Sequence, residues 1–166
     1  MSVLGVDPGT ARLGFGVLTL DEIPRVLDFG LIETFPRAPM HLRLHELYQG
    51  LTAVIERTQP RVLAIEQLFF ARNVTTALTV GQARGVVLLL AAERGLDVYE
   101  YKPNEVKLAV AGYGGASKQQ MQEMVRVQLA LADPPHPDDA ADALALALCH
   151  VFSRRFLDVV EQAGRR

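Results

Sequence analysis

The sequence predicts an α/β fold: a mixed five-stranded sheet, three antiparallel strands followed by parallel ones, flanked by helices on both faces. Three observations predict it. The chain opens with three strand-like runs joined by short connections, the pattern of antiparallel neighbours. Two further apolar runs follow, each reached through a helix-length segment, the pattern of parallel strands entered by crossovers. The remainder is helical in period, which supplies layers to cover the sheet.

Residues 2–8 read as a buried strand, and Pro8-Gly9 turns the chain into a second strand over 13–20. Residues 25–35 make the third. From Pro39 to Thr58, Leu42, Leu44, Leu47, Leu51, Val54 and Ile55 mostly keep a three-to-four-residue spacing, so this segment is a helix, stopped by Pro60. Residues 61–66 form the fourth strand. Asn73 or Thr75 caps a long helix that reaches Arg94 and ends at Gly95. Residues 96–101 are the fifth strand. Pro103 starts a short helix to Val110, and Gly112 to Gly115 form a loop. Ser117 caps a helix to Leu131 whose inner side carries Met121, Met124, Val125, Gln128 and Leu129. Pro134, Pro135 and Pro137 stiffen the connection to a last helix over 138–156.

At 166 residues and 49% hydrophobic, the chain suits one globular domain with its own core. The uninterrupted apolar runs, 86–92 and 143–149, fall short of the ~18 residues that span a bilayer. Met1 leads straight into the first strand, so no signal peptide is expected. Cys149 is the one cysteine, which fits a reducing cytoplasm, and its place in an Ala/Leu helix makes it core filler. The net charge of −2 argues weakly against non-specific nucleic-acid binding, but charge distribution matters where net charge does not. All the lysines, Lys102, Lys107 and Lys118, fall in one short stretch, and Arg72 and Arg84 accompany the second acidic segment, that of Glu66.

The chemistry lies in acids that end or interrupt apolar runs. Asp7 closes Val3-Leu4-Gly5-Val6, Glu66 closes Val62-Leu63-Ala64-Ile65, and Asp139 and Asp142 sit in a helix otherwise almost wholly Ala and Leu. Carboxylates are rarely buried unless paired, protonated or bound to a metal. If strands one and four lie side by side and parallel, Asp7 and Glu66 emerge together at the carboxyl edge of the sheet. Asp139 and Asp142, three apart, share a helix face, and no Lys or Arg lies within one turn of them. Hard oxygen donors converging this way suit Mg²⁺ or Mn²⁺, and a pair of such ions can clamp both oxygens of a phosphodiester displacement. An Asp138–Asp142 pairing at four-residue spacing is the alternative register. Taken singly, Asp7 is also a turn residue, Asp138 and Asp139 are ordinary acids of a helix N-terminus, and Glu66 has Arg72 or Arg84 as a partner.

Other segments accompany the acids. The glycines of Asp7-Pro8-Gly9-Thr10-Ala11-Arg12-Leu13-Gly14-Phe15-Gly16 allow close approach of a phosphate, as in a similar turn of actin-like kinases and chaperones. Phe69, Phe70 and Arg72, just past Glu66, suit base stacking and phosphate contact, one ring inward and one outward. Lys107 and Lys118 precede the acidic helix and can reach a phosphate over the cleft. Ala77, Gly81 and Gly85 form a small-residue stripe, followed by Val86 to Ala92, apolar on every side. One face of that helix packs on the sheet, and the other packs on a second copy or is covered within the monomer.

With these residues assembled, the chain resembles the RuvC family of Holliday junction resolvases, in the ribonuclease H-like superfamily. Leu4-Gly5-Val6-Asp7-Pro8-Gly9-Thr10, Ala64-Ile65-Glu66-Gln67, Gly81-Gln82-Ala83-Arg84-Gly85 and Asp139-Ala140-Ala141-Asp142-Ala143-Leu144-Ala145 carry the likeness, which covers residues 2–155. It implies a ribonuclease H-like nuclease domain over 1–156 and a flexible C-terminal tail over 157–166. It implies a cytoplasmic homodimer that binds four-way DNA junctions, nicks two opposed strands symmetrically, prefers a short cognate sequence and cooperates with the RuvA–RuvB branch-migration complex, with no membrane. It makes Asp7, Glu66, Asp139 and Asp142 the catalytic and metal-binding set, for two Mg²⁺ per subunit with Mn²⁺ as a substitute. It favours Asp139 over Asp138, gives Phe69, Lys107 and Lys118 a DNA-handling role beside Phe70 and Arg72, and leaves Gly81, Gly85, Val86 and Leu89 for the dimer interface. The rival readings are a YqgF-type nuclease acting on RNA, an actin-like ATP-binding protein and a junction-binding module without catalysis.

Overall fold

A computed structural model describes residues 1–67 and 74–164. The elements are β1 (Ser2–Asp7), β2 (Arg12–Thr19), β3 (Val26–Glu33), α1 (Met40–Thr58), β4 (Val62–Glu66), α2 (Val74–Glu93), β5 (Asp97–Tyr101), α3 (Pro103–Ala111), α4 (Lys118–Gln128) and α5 (Asp138–Gly164). The sheet order is β3-β2-β1-β4-β5. β1, β2 and β3 pair antiparallel, while β4 runs parallel to β1 and β5 parallel to β4. The predicted mixed sheet is present, and every element lies within a few residues of its expected bounds except two. α4 stops at Gln128, because Leu129 caps it and Ala130 turns to φ 50°. α5 passes Phe156 and continues to Gly164.

Strand alternation divides the core into two layers. Leu4, Val6, Leu13, Phe15, Val17, Leu63 and Ile65 face α1 and α2, meeting Leu47, Leu51, Val54, Ala83, Val87 and Leu90. Val3, Leu18, Val62 and Ala64 face the other way, onto α3, α4 and the Ala/Leu stretch of α5. Asp7 and Glu66 continue the second set by the same period of two, so both project toward α5.

α5 lies directly on the sheet because the strands beneath it lack side chains where it crosses. A Cβ on Gly5 would overlap the main-chain carbonyl of Ala143, and one on Gly14 would overlap that of Asp139. The glycine near the first turn that the sequence suggested for a phosphate is therefore a seat for a helix. Its effect is to set the start of α5, with its acids, against the ends of β1 and β2.

α2 is long and apolar enough to cross a membrane by length and composition, with a mean hydropathy of 1.3 over Thr75–Glu93. Here it is a layer of the fold. Ala83, Val87, Leu90 and Ala91 are buried against the sheet and α1, whereas Leu78 and Leu89 are exposed and Gly81 and Gly85 have open space where a side chain would stand. One face is thus covered and one is open.

Candidate active site

Asp7 and Glu66 end adjacent parallel strands whose last paired residues are Val6 and Ile65, so the two carboxylates leave the sheet at one level and on one face. α5 brings Asp139 and Asp142 over them. A cavity of about 260 Å³ opens there, lined by Asp7, Glu66, Asp142, Lys107 and Lys118, with Met121 on its apolar wall. Asp139 does not line it but is near enough to act on the charge of Asp7.

The electrostatics of Asp7 define the site. Burial pushes its carboxyl up to about 7, and the neighbouring charges of Asp142, Asp139 and Glu66 push the same way against the opposing pull of Lys118. Glu66 is raised by burial and then by Asp142. Asp142 is raised by burial, opposed by Lys118. The carboxylates crowd one another in a partly desolvated pocket with too little positive charge.

The positive charge that is present comes from other elements, not from α5 itself. Arg12, at the start of β2, places Nε 3.3 Å from Asp139 Oδ2. That oxygen is buried and has no hydrogen bond of good geometry. Lys118 Nζ lies 3.1 Å from Asp138 and 3.4 Å from Asp142. Asp138 also accepts from Gln122 Nε2 at 2.8 Å, and these two partners hold its carboxyl below the usual range. Asp138 therefore belongs to a surface cluster with α4, while Asp139 and Asp142 are the acids of α5 that bear on Asp7. Neither Arg12 nor the clamped state of Lys118 is evident in sequence, since each pairing joins segments twenty or more residues apart. Among the described residues, no three acidic, histidine or cysteine side chains are drawn tightly enough together to hold a metal as they lie. The donor chemistry fits a hard divalent cation nonetheless: oxygen ligands only, a charge deficit centred on Asp7, and a cavity between them.

Local structure places the lysines. Ser117 caps α4 as the sequence predicts: its hydroxyl accepts from the Gln120 N–H at 3.2 Å, and Gln120 Oε1 accepts from the Ser117 N–H at 2.8 Å. Tyr113 of the glycine loop donates to the same Gln120 oxygen at 2.6 Å, which ties that loop to the turn carrying Lys118. Lys107 reaches the cavity from the middle of α3. The partner suggested for Glu66 is half right. Arg84, 7% exposed, donates to the main-chain carbonyl of Glu66 at 2.5 Å and pairs through its other nitrogen with Glu100 at 2.8 Å, leaving the Glu66 carboxylate free of it. Phe69, Phe70 and Arg72 lie outside the described residues, as does the cap residue Asn73.

Comparison with known proteins identifies relatives of this chain. Residues 3–150 match the family described as crossover junction endodeoxyribonuclease RuvC. A protein of that name from Chloroflexus aggregans is 59% identical over 154 residues, which are 92% of this chain and 94% of the relative. The structure of Thermus thermophilus RuvC in complex with Holliday junction substrate superposes with a TM-score of 0.88 at 40% identity, covering 94% of this chain and 96% of that one. The yeast mitochondrial Holliday junction resolvase shares the fold, with a TM-score of 0.72 at 15% identity over 98% of this chain and 84% of its own.

Proposed function

This chain belongs to the RuvC family of crossover junction endodeoxyribonucleases, which are metal-dependent, and we propose that it hydrolyses the phosphodiester bonds of four-way DNA junctions at the cavity beside Asp7. It is an endodeoxyribonuclease of ribonuclease H-like fold that resolves Holliday junctions in DNA recombination and repair. The observation that carries the assignment of the site is the carboxyl of Asp7, raised to about 7 by burial and three neighbouring acids. Such crowding is costly in a protein that has no cation to place there.

Asp7, Glu66, Asp139 and Asp142 are the residues that would hold the metal, two Mg²⁺ per subunit with Mn²⁺ able to substitute. When bound, the ions supply Lewis acidity and an activated water for in-line attack. The chain's own contribution is positional. The paired strand ends fix Asp7 and Glu66 at one level, and the glycine seats beneath α5 fix Asp139 and Asp142 above them. Lys107 and Lys118 line the same cavity and are suited to the phosphate oxygens, which requires Lys118 to exchange Asp142 for the phosphate. Phe69, Phe70 and Arg72 complete the DNA contacts in this reading. The products carry a 5′-phosphate and a 3′-hydroxyl, ends that a ligase can seal.

Two opposed cuts need two sites, and the open face of α2, with Gly81, Gly85, Val86 and Leu89, is the homodimer interface in this proposal. A chromosomal junction as substrate fits a cytoplasmic protein, and the RuvA–RuvB branch-migration complex is its partner in this proposal. The test is a cleavage assay on a mobile synthetic four-way junction in Mg²⁺ and in Mn²⁺, with nicks mapped on all strands. Symmetric paired nicks are expected. Absence of cleavage in both metals, or preference for structured RNA, refutes the assignment.

A further inference from the structure

A second and larger cavity, about 550 Å³, lies beside the middle of α5, beneath the amino ends of β4 and β5. Arg61, Asp97, Tyr99, His150, Ser153 and Arg154 are among its lining residues. By helix rise, His150 and Arg154 are about 12 and 18 Å along α5 from Asp142, so this cavity is separate from the carboxylate site. Its volume is in the range of small-ligand pockets.

The lining has the features of a recognition site. His150 is 3% exposed, its Nδ1 is 2.8 Å from the Tyr101 hydroxyl, and its Nε2 is buried with no hydrogen-bond partner. With Tyr101 donating to Nδ1, Nε2 carries the ring proton and lacks an acceptor. Buried polar atoms are seldom left unpaired, and each such case asks for an explanation. The Tyr99 ring lies 4.6 Å from the imidazole, tilted by 55°, and is itself 47% exposed, so one of its surfaces is open. The lining carries two arginines against a single carboxylate, Asp97, and Arg154 is close enough to act on the charge of His150.

We propose that this cavity binds a small oxyanion joined to a planar group, the chemistry of a nucleoside monophosphate. Arg61 and Arg154 take the phosphate oxygens, and the planar group lies against the open side of Tyr99, whose other side packs on the His150 ring. A free phosphate would use the arginines alone, so affinity for the nucleotide over phosphate separates the two sources.

The experiment is calorimetric titration of the full chain, free of divalent metal, with adenosine 5′-monophosphate, adenosine and inorganic phosphate in turn. The His150 ring resonances are followed by NMR in parallel. Saturable binding of the monophosphate is expected, about ten-fold tighter than either fragment. Arg154→Ala and Arg61→Ala should each weaken it by about ten-fold, the scale of one charge-assisted hydrogen bond. Both variants should retain junction cleavage, which also shows that they fold, and the His150 signals should shift on binding. No saturable binding, equal affinity for monophosphate and phosphate, binding indifferent to both arginine substitutions, or unmoved His150 signals would each overturn the proposal.

Discussion

Asp7 concentrates the conflict between folding and the proposed catalysis in one residue. Its carboxyl has an ordinary value of 3.8 and stands at about 7 in the folded protein. The folded state therefore binds the proton more tightly than the unfolded state. That contribution is fully present below about pH 4 and is lost as pH rises toward 7. Without metal, the protein should lose stability over that interval, by up to about 4 kcal/mol for a carboxyl raised this far. Glu66 and Asp142 are raised as well and add to the loss. Urea midpoints measured in chelator at pH 4 and pH 7 check this. Asp7→Asn should flatten the dependence and raise metal-free stability at pH 7, abolish cleavage and leave junction binding intact. A variant that still cuts normally would remove Asp7 from the catalytic set. Added Mg²⁺ should raise the wild-type midpoint at pH 7, because a ligand that binds only the folded state stabilises it by mass action. The four carboxylates are legible in sequence because each interrupts an apolar run, and that pattern is local. Arg12 and the Lys118 clamp are not legible, because a cation brought from another element leaves no mark on the segment it neutralises.

Elements are positioned by what their neighbours omit. Gly5 and Gly14 let α5 rest on β1 and β2, and the backbone of Asp139 itself occupies the space over Gly14. Gly14→Ala must push the start of α5 outward. Overpacking of this kind costs about 1–3 kcal/mol, and cleavage should fall more steeply than stability because Asp139 moves with the helix. Comparing the urea midpoint with the single-turnover rate separates the two effects, and an unchanged rate would show that the seat does not position the acids. Arg84 makes a different link: from α2 it holds the Glu66 carbonyl at the end of β4 and Glu100 on β5. Arg84→Met keeps much of the apolar stem but leaves the carbonyl unpaired, and should cost about 1–3 kcal/mol with a reduced cleavage rate. A full-rate variant would confine Arg84 to stability. Strands and helices are placed correctly from sequence because period two and period 3.6 are local signals. Gly14 reads as a phosphate seat because a glycine shows only that something comes close, and the helix that does so is encoded more than a hundred residues later.

At the scale of the molecule, α2 has two apolar faces and the monomer covers one of them. Leu78 and Leu89 are 63% and 55% exposed, and they lie with Gly81 and Gly85 at three- and four-residue spacing along a single side of the helix. A solvated face would carry charge there. An apolar side lined with glycines instead allows the same helix of a second copy to approach closely, and a two-fold contact of that kind uses one patch twice. A dimer also accounts for paired cuts, since a chain with one carboxylate cavity can hold one strand at a time. Leu89→Glu should leave the folded monomer nearly as stable as before, within about 0.5 kcal/mol, because its side chain is largely in water already. It should shift the protein to monomer in size-exclusion chromatography with light scattering. Nicks on a four-way junction should then become single and unpaired. If Leu89→Glu and Leu78→Glu together leave both the mass and the pairing of nicks unchanged, the interface lies elsewhere on the molecule, and the open face of α2 needs a different partner.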